Sequence, residues 1–126
     1  MTLAPGPTAT ATLAVSPADL APAHHSGDVP VLATPRLVAL CEEATVAAVS
    51  PHLAPGETTV GTRVELEHLA PSIVGAIVTA VAVLEEVAGH RLGFSVTARE
   101  GGLLLARGRI ERVVVDRAGF AARAGA

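Results

Sequence analysis

At 126 residues and 12.6 kDa the chain has the length of one small domain, too short for a two-domain enzyme. Half of it is hydrophobic and mean hydropathy is +0.51, which excludes a disordered chain; the apolar material is mostly Ala, Val and Leu, with two Phe and no Trp or Tyr, so so small a domain exposes apolar surface unless a second copy covers it. Nine Arg and no Lys stand against three Asp and nine Glu, giving a net charge of −3 and a pI near 5.9, the wrong sign for a general nucleic-acid binder, although localised arginines suit a phosphate-bearing ligand.

Residues 1–23 carry no basic stretch ahead of an apolar one and are broken by Pro5, Pro7, Pro17 and Pro22, so they do not read as a signal peptide. Residues 8–15 alternate threonine with small apolar residues, which predicts a short strand. Residues 16–30, rich in Pro, Ala, His and Gly, have no period and read as a loop or lid. From Thr34 to Val49 the period is helical. Thr34 is expected as N-cap and Pro35 at the first helical position, with Leu37, Cys41, Ala44, Thr45 and Ala48 on one stripe. Ser50, Pro51 and Pro55-Gly56 stop it. The solitary Cys41 permits no intrachain disulfide and fits a reducing cytoplasm.

Beyond Glu57 the period becomes two, placing Val60, Thr62, Val64, Leu66 and His68 on one face and Arg63, Glu65 and Glu67 on the other. Pro71 and Gly75 flank a turn; strands follow at residues 75–87, 91–99 and 103–115, separated by Gly89-His90 and Gly101-Gly102. Hairpin connections are expected among these four strands, then a tail from Asp116 anchored only by Phe120. The longest apolar run, residues 73–84, falls well short of the ~20 a membrane helix needs. The pattern predicts a two-layer α+β domain, one helix on an antiparallel sheet.

Few residues in this pattern can do chemistry. Glu42 has Val38, Val46 and Val49 as helical neighbours, whereas Glu43 has Ala39 and Ala47. A carboxylate in such a surround loses solvation and is a candidate base or nucleophile; the alternative is a solvated surface pair. His68 ends the apolar face of its strand, as a core residue or at a cleft. Thr34 lies where a helix N-terminus stabilises an oxyanion. Arg112 falls in step with Gly108, Ile110 and Val114, and an inward guanidinium needs a carboxylate or phosphate partner. His24, His25, His52 and His90 have no metal-binding spacing, and no dinucleotide, phosphate-loop or Gly-x-Ser-x-Gly motif occurs, so no metal site is expected.

Taken together, Leu32-Ala33-Thr34, Leu40-Cys41-Glu42, Pro55-Gly56-Glu57, Val60-Gly61-Thr62 running through Val64 to His68, and Glu111-Arg112 resemble the fluoroacetyl-CoA thioesterase-like group of hot-dog thioesterases, from about Val29 to Phe120. The resemblance implies a hot-dog fold: a five-stranded antiparallel sheet wrapped around one long central helix, dimeric, with residues 1–126 a single domain and 1–7 and 121–126 loose tails. It implies hydrolysis of an acyl-CoA by a triad of Thr34, Glu42 and His68, with Gly61 and Arg112 at the acyl-CoA site and no cofactor. The expected partners are acyl-CoA and a second copy of the chain, with no nucleic acid and no membrane, in a bacterial cytoplasm. Where the fluoroacetate-specific enzyme is similar in having a lid, that lid carries phenylalanines; here His25-Ser26-Gly27-Asp28 holds no aromatic residue, which implies a different or broader acyl group. Thr34 and Glu42 are eight residues apart, about 12 Å along a helix at ~1.5 Å per residue. A site shared between two subunits is therefore expected. The competing reading is a non-catalytic acyl-CoA or acyl-carrier binding module on the same fold; a dehydratase is disfavoured because its Asp and His pattern is missing from the helix.

Overall fold

A computed structural model describes residues 2–125. Thr8–Ala14 forms β1, with Ala9, Ala11 and Leu13 turned toward the core and the threonines outward. After two 3-10 turns (Pro17–Asp19 and Ala21–His24), α1 runs from Thr34 to Val49. Four strands follow: β2 (Glu57–His68), β3 (Ile77–Ala88), β4 (Arg91–Glu100) and β5 (Leu103–Asp116), and a short helix α2 (Arg117–Arg123). All five strands join one antiparallel sheet in the order β1-β3-β4-β5-β2.

The core lies between α1 and this sheet. Leu37, Leu40, Cys41, Ala44, Thr45, Ala48 and Val49 are buried on the helix; Val78, Ala80, Ala82 and Leu84 of β3 and Leu92, Phe94, Val96 and Ala98 of β4 face them. The alanines among them take little space between helix and sheet while the leucines and Phe94 fill the rest, and burial at about 25 cal/mol per Å² drives the packing. The helix sits chiefly over β1 and β3. The far half of the sheet is less covered, and Val64, on the inner side of β2, is 38% exposed.

Three expectations are corrected. The first concerns the strand connections. β2 and β3 do not form a hairpin: β2 pairs with β5 at one edge while β3 lies beside β1, so residues 69–76 cross the end of the sheet. Backbone bonds from Leu69 and Ala70 to the Leu105 carbonyl, from Leu32 to Ser72 and from Gly75 to Val15 hold that crossing.

The second concerns β2, where the alternation is broken by a bulge between Gly61 and Arg63 that leaves Thr62 opposite no partner. Thr59 and Gly61 face inward before it, and Val64, Leu66 and His68 after it, so Val60 and Thr62 do not share the His68 face as strict alternation implies. The third concerns the tail, which is helical because the Asp116 carboxylate caps α2 by accepting from the Gly119 N–H at 2.8 Å. Phe120 there remains 37% exposed, with the Arg123 guanidinium 5.7 Å from its ring centre.

No described helix is long and apolar enough to cross a membrane.

Candidate functional site

The N-cap of α1 is Ala33, not Thr34: Ala33 has an extended backbone (φ −66°, ψ 137°) and its carbonyl accepts from the Leu37 N–H. Thr34 is thus the first helical residue, and its hydroxyl is not used in capping. That hydroxyl shares a 2.8 Å hydrogen bond with Nδ1 of His68 at the end of β2. The other ring nitrogen of His68, Nε2, is buried in the single chain and has no hydrogen-bond partner among the described residues. Both residues line a cleft of about 340 Å³ walled by Ala21, Val31, Leu32 and Leu69 and roofed by Ser26, Gly27 and Asp28 of the preceding segment. The turn into this roof uses left-handed backbone at His25 (φ 53°).

Glu42, two helical turns further on, does not join that pair within the chain. Its carboxylate accepts from Arg112 Nη1 at 3.2 Å. Arg112 is itself buried on β5, donating from Nε to the Thr59 hydroxyl at 2.9 Å and from Nη2 to the Thr59 carbonyl at 3.1 Å. Burial pushes the guanidinium below its usual range while the Glu42 charge and hydrogen bond pull it back; an arginine so placed still keeps its charge at neutral pH. The need of an inward Arg112 for a carboxylate partner is met by Glu42.

The Glu42 side chain, however, is 36% exposed, so the dry apolar surround expected from its helical neighbours is not present in the single chain. Val46, one turn away, is 40% exposed, because no other described residue covers that stretch of helix. The open ground there is a cleft of about 460 Å³ lined by Ala39, Glu42, Glu43, Val46, Ala47 and Arg112.

Gly61 fits between these groups, since a Cβ on it would stand 2.9 Å from Glu42 Oε2 and 3.4 Å from Arg112 Nη1. Cys41, beside Glu42 in sequence, is buried, and burial together with the Glu42 charge raises its thiol to about 11. It stays protonated at neutral pH and is no nucleophile. Among the described residues no three His, Cys, Asp or Glu side chains cluster as metal ligands.

The five sequence-derived site residues therefore fall into two groups, Thr34 with His68 at the start of α1 and Glu42 with Arg112 and Gly61 at its middle. Thr59 was missed. The signal for it exists, because it lies on the inward face of β2 two residues before Gly61, but the bulge at Thr62 hides that parity from a pattern of period two.

A family model described as fluoroacetyl-CoA-specific thioesterase matches residues 15–118. The fluoroacetyl-CoA thioesterase of Streptantibioticus cattleyicolor is 39% identical over 93 residues, 74% of this chain and 67% of that protein. A crystal structure of a threonine-to-serine variant of a fluoroacetyl-CoA thioesterase with acetyl-CoA superposes with a TM-score of 0.91 at 30% identity, covering 97% of this chain and 96% of that one. A thioesterase superfamily member from Thermus thermophilus gives 0.84 at 32% identity, covering 93% and 87%.

Proposed function

The chain belongs to the fluoroacetyl-CoA-specific thioesterase family, and from that membership we propose that it hydrolyses a small or medium acyl-CoA to the free acid and CoA at a site built from Thr34, Glu42 and His68. Acyl-CoA thioester hydrolysis is the activity of this hot-dog protein. The observation that carries the site is the 2.8 Å contact of Thr34 with His68 on the wall of a cleft. A thioester carbonyl is already electrophilic, so the protein has to supply an oxygen nucleophile and stabilise the oxyanion that forms. In this reading Glu42 attacks the carbonyl or activates water, His68 handles the proton through Nδ1, and Thr34 polarises or positions the reacting group. Arg112 and Gly61 hold the acyl-CoA side, Arg112 also fixing the Glu42 carboxylate.

Glu42 stands about 12 Å along α1 from Thr34, at ~1.5 Å per residue. That separation supports a homodimer in which Glu42 of one copy serves Thr34 and His68 of the other. Two further features support it: β2 is a twelve-residue strand paired on one side only, and the helix surface around Val46 and Ala47 is open. The lone buried Cys41 supports a reducing, cytoplasmic setting.

The lining of the cleft beside Thr34 and His68 contains no Phe, Tyr or Trp among the described residues. This supports a broader acyl range than fluoroacetyl. Purified protein is tested against CoA thioesters from acetyl and fluoroacetyl to octanoyl, with a thiol reagent reporting free CoA. Saturable release is expected, falling at least a hundredfold in Glu42→Ala. Binding of the thioesters without turnover would make the protein a binding module and overturn the assignment of Glu42.

A further inference from the structure

Asp19 ends the first 3-10 turn and contacts the chain next to Thr34. Asp19 is buried, 8% exposed, and its carboxylate is held from two directions. Oδ2 accepts from the Ser16 N–H at 2.8 Å and the Ser16 hydroxyl at 2.9 Å, closing the turn on itself. Oδ1 accepts from Arg36 Nε at 3.1 Å, and Arg36 sits in the first turn of α1 with a second, looser contact to Glu43 at 3.6 Å. The Asp19 main-chain carbonyl accepts from the Ala33 N–H at 2.9 Å. One residue thus grips the chain on both sides of Thr34, at the position before it and two positions after it.

We propose that Asp19 is a positioning residue which, through Ala33 and Arg36, sets the Thr34 hydroxyl against His68 Nδ1. The physical reason lies in the first turn of a helix, whose N–H groups have no intrahelical acceptor and which frays unless anchored. The Thr34 hydroxyl belongs to that turn yet does not cap it. Its direction is fixed by whatever fixes Ala33 and Arg36, and the side-chain bonds of Asp19 keep its own carbonyl aimed at Ala33. A displacement of about 1 Å at a reacting group costs up to ~100-fold in rate. Asp19 itself lies outside the residues that line the cleft.

This inference rests on the reading of Thr34 and His68 as part of the site, and a double-mutant cycle separates the two. Asp19→Ala is expected to lower kcat about tenfold with KM changed less than twofold. In a Thr34→Ala background the same substitution is expected to change kcat less than twofold, because the hydroxyl it positions is gone. A readout independent of activity is the His68 Nδ1 resonance in a long-range 1H–15N spectrum, expected to move in Asp19→Ala toward its place in Thr34→Ala. Should Asp19→Ala fail to fold, Arg36→Gln withdraws the other partner of the same bond, with the same expected pattern at smaller amplitude.

Equal losses in both backgrounds, an unchanged kcat, or an unmoved His68 resonance would each overturn the proposal. A wild-type protein that releases no CoA would defeat the catalytic reading instead, and the resonance would still decide the part played by Asp19.

Discussion

Gly61 shows how little room the Glu42–Arg112 pair leaves. Adding a Cβ at 2.9 Å from Glu42 Oε2 forces the carboxylate aside, and the far end of a half-exposed side chain yields readily. Gly61→Ala is therefore expected to lower kcat roughly tenfold while changing unfolding free energy by less than about 1 kcal/mol, measured by steady-state kinetics and urea titration. Asp19 carries a different kind of consequence. Burial raises its carboxyl, but the Ser16 N–H and hydroxyl and the Arg36 guanidinium outweigh that and hold it below its ordinary value of 3.8.

A depressed carboxyl stabilises the fold fully above the unfolded value, and the contribution is lost as pH falls through the folded value, because the unfolded chain takes up the proton first. Urea unfolding from pH 7 to pH 2.5 should show wild type losing stability below about pH 3.8 more steeply than Asp19→Asn, the two curves converging in acid. Parallel curves would mean that Asp19 is not held as its contacts require.

Among the elements, β2 and β5 carry both halves of the site, and their pairing depends on Gly108. A Cβ there would run into the Glu65 carbonyl of the neighbouring strand and lie 2.9 Å from Leu66 Cα; backbone cannot retreat as a side chain does. Gly108→Ala is expected to cost about 3 kcal/mol, read as a fall in the urea midpoint, and to loosen the end of β2 that presents His68. An unchanged midpoint would show that the two strands tolerate a wider separation. The bulge at Thr62 acts at the same scale. By adding one residue to β2 it turns both Gly61 and His68 inward, although seven positions separate them and strict alternation would send them to opposite faces.

For the whole molecule, the relevant fact is that one chain leaves its two groups of site residues apart. If two copies complete the site, mixing Glu42→Ala with His68→Ala protein under conditions that exchange subunits should restore activity to about a quarter of wild type per dimer site, since one of the two sites in a mixed dimer is intact and half of the dimers are mixed. Mixed dimers with no more activity than either variant alone would confine the site to one chain. Dilution should lower specific activity along with the dimer fraction, followed by sedimentation.

Helical and strand periods, glycine turns and the stripe on α1 were legible in the residues themselves, because local backbone preference and the burial of one face are properties of neighbouring positions. For the same reason Arg112 could be placed inward; Glu42, by contrast, was singled out on a dry apolar surround that the single chain does not have, and Thr34 on a capping position that falls to Ala33. The order of strands, the crossing from β2 to β3, the bulge at Thr62, the displacement of the cap to Ala33 and the pairing of Glu42 with Arg112, seventy positions away, were not legible there. Each of these is settled by hydrogen bonds and close approaches between segments remote in the chain. Periodicity, which compares a residue only with those a few places along, carries no information about them; the tertiary structure alone decides which polar group finds which partner.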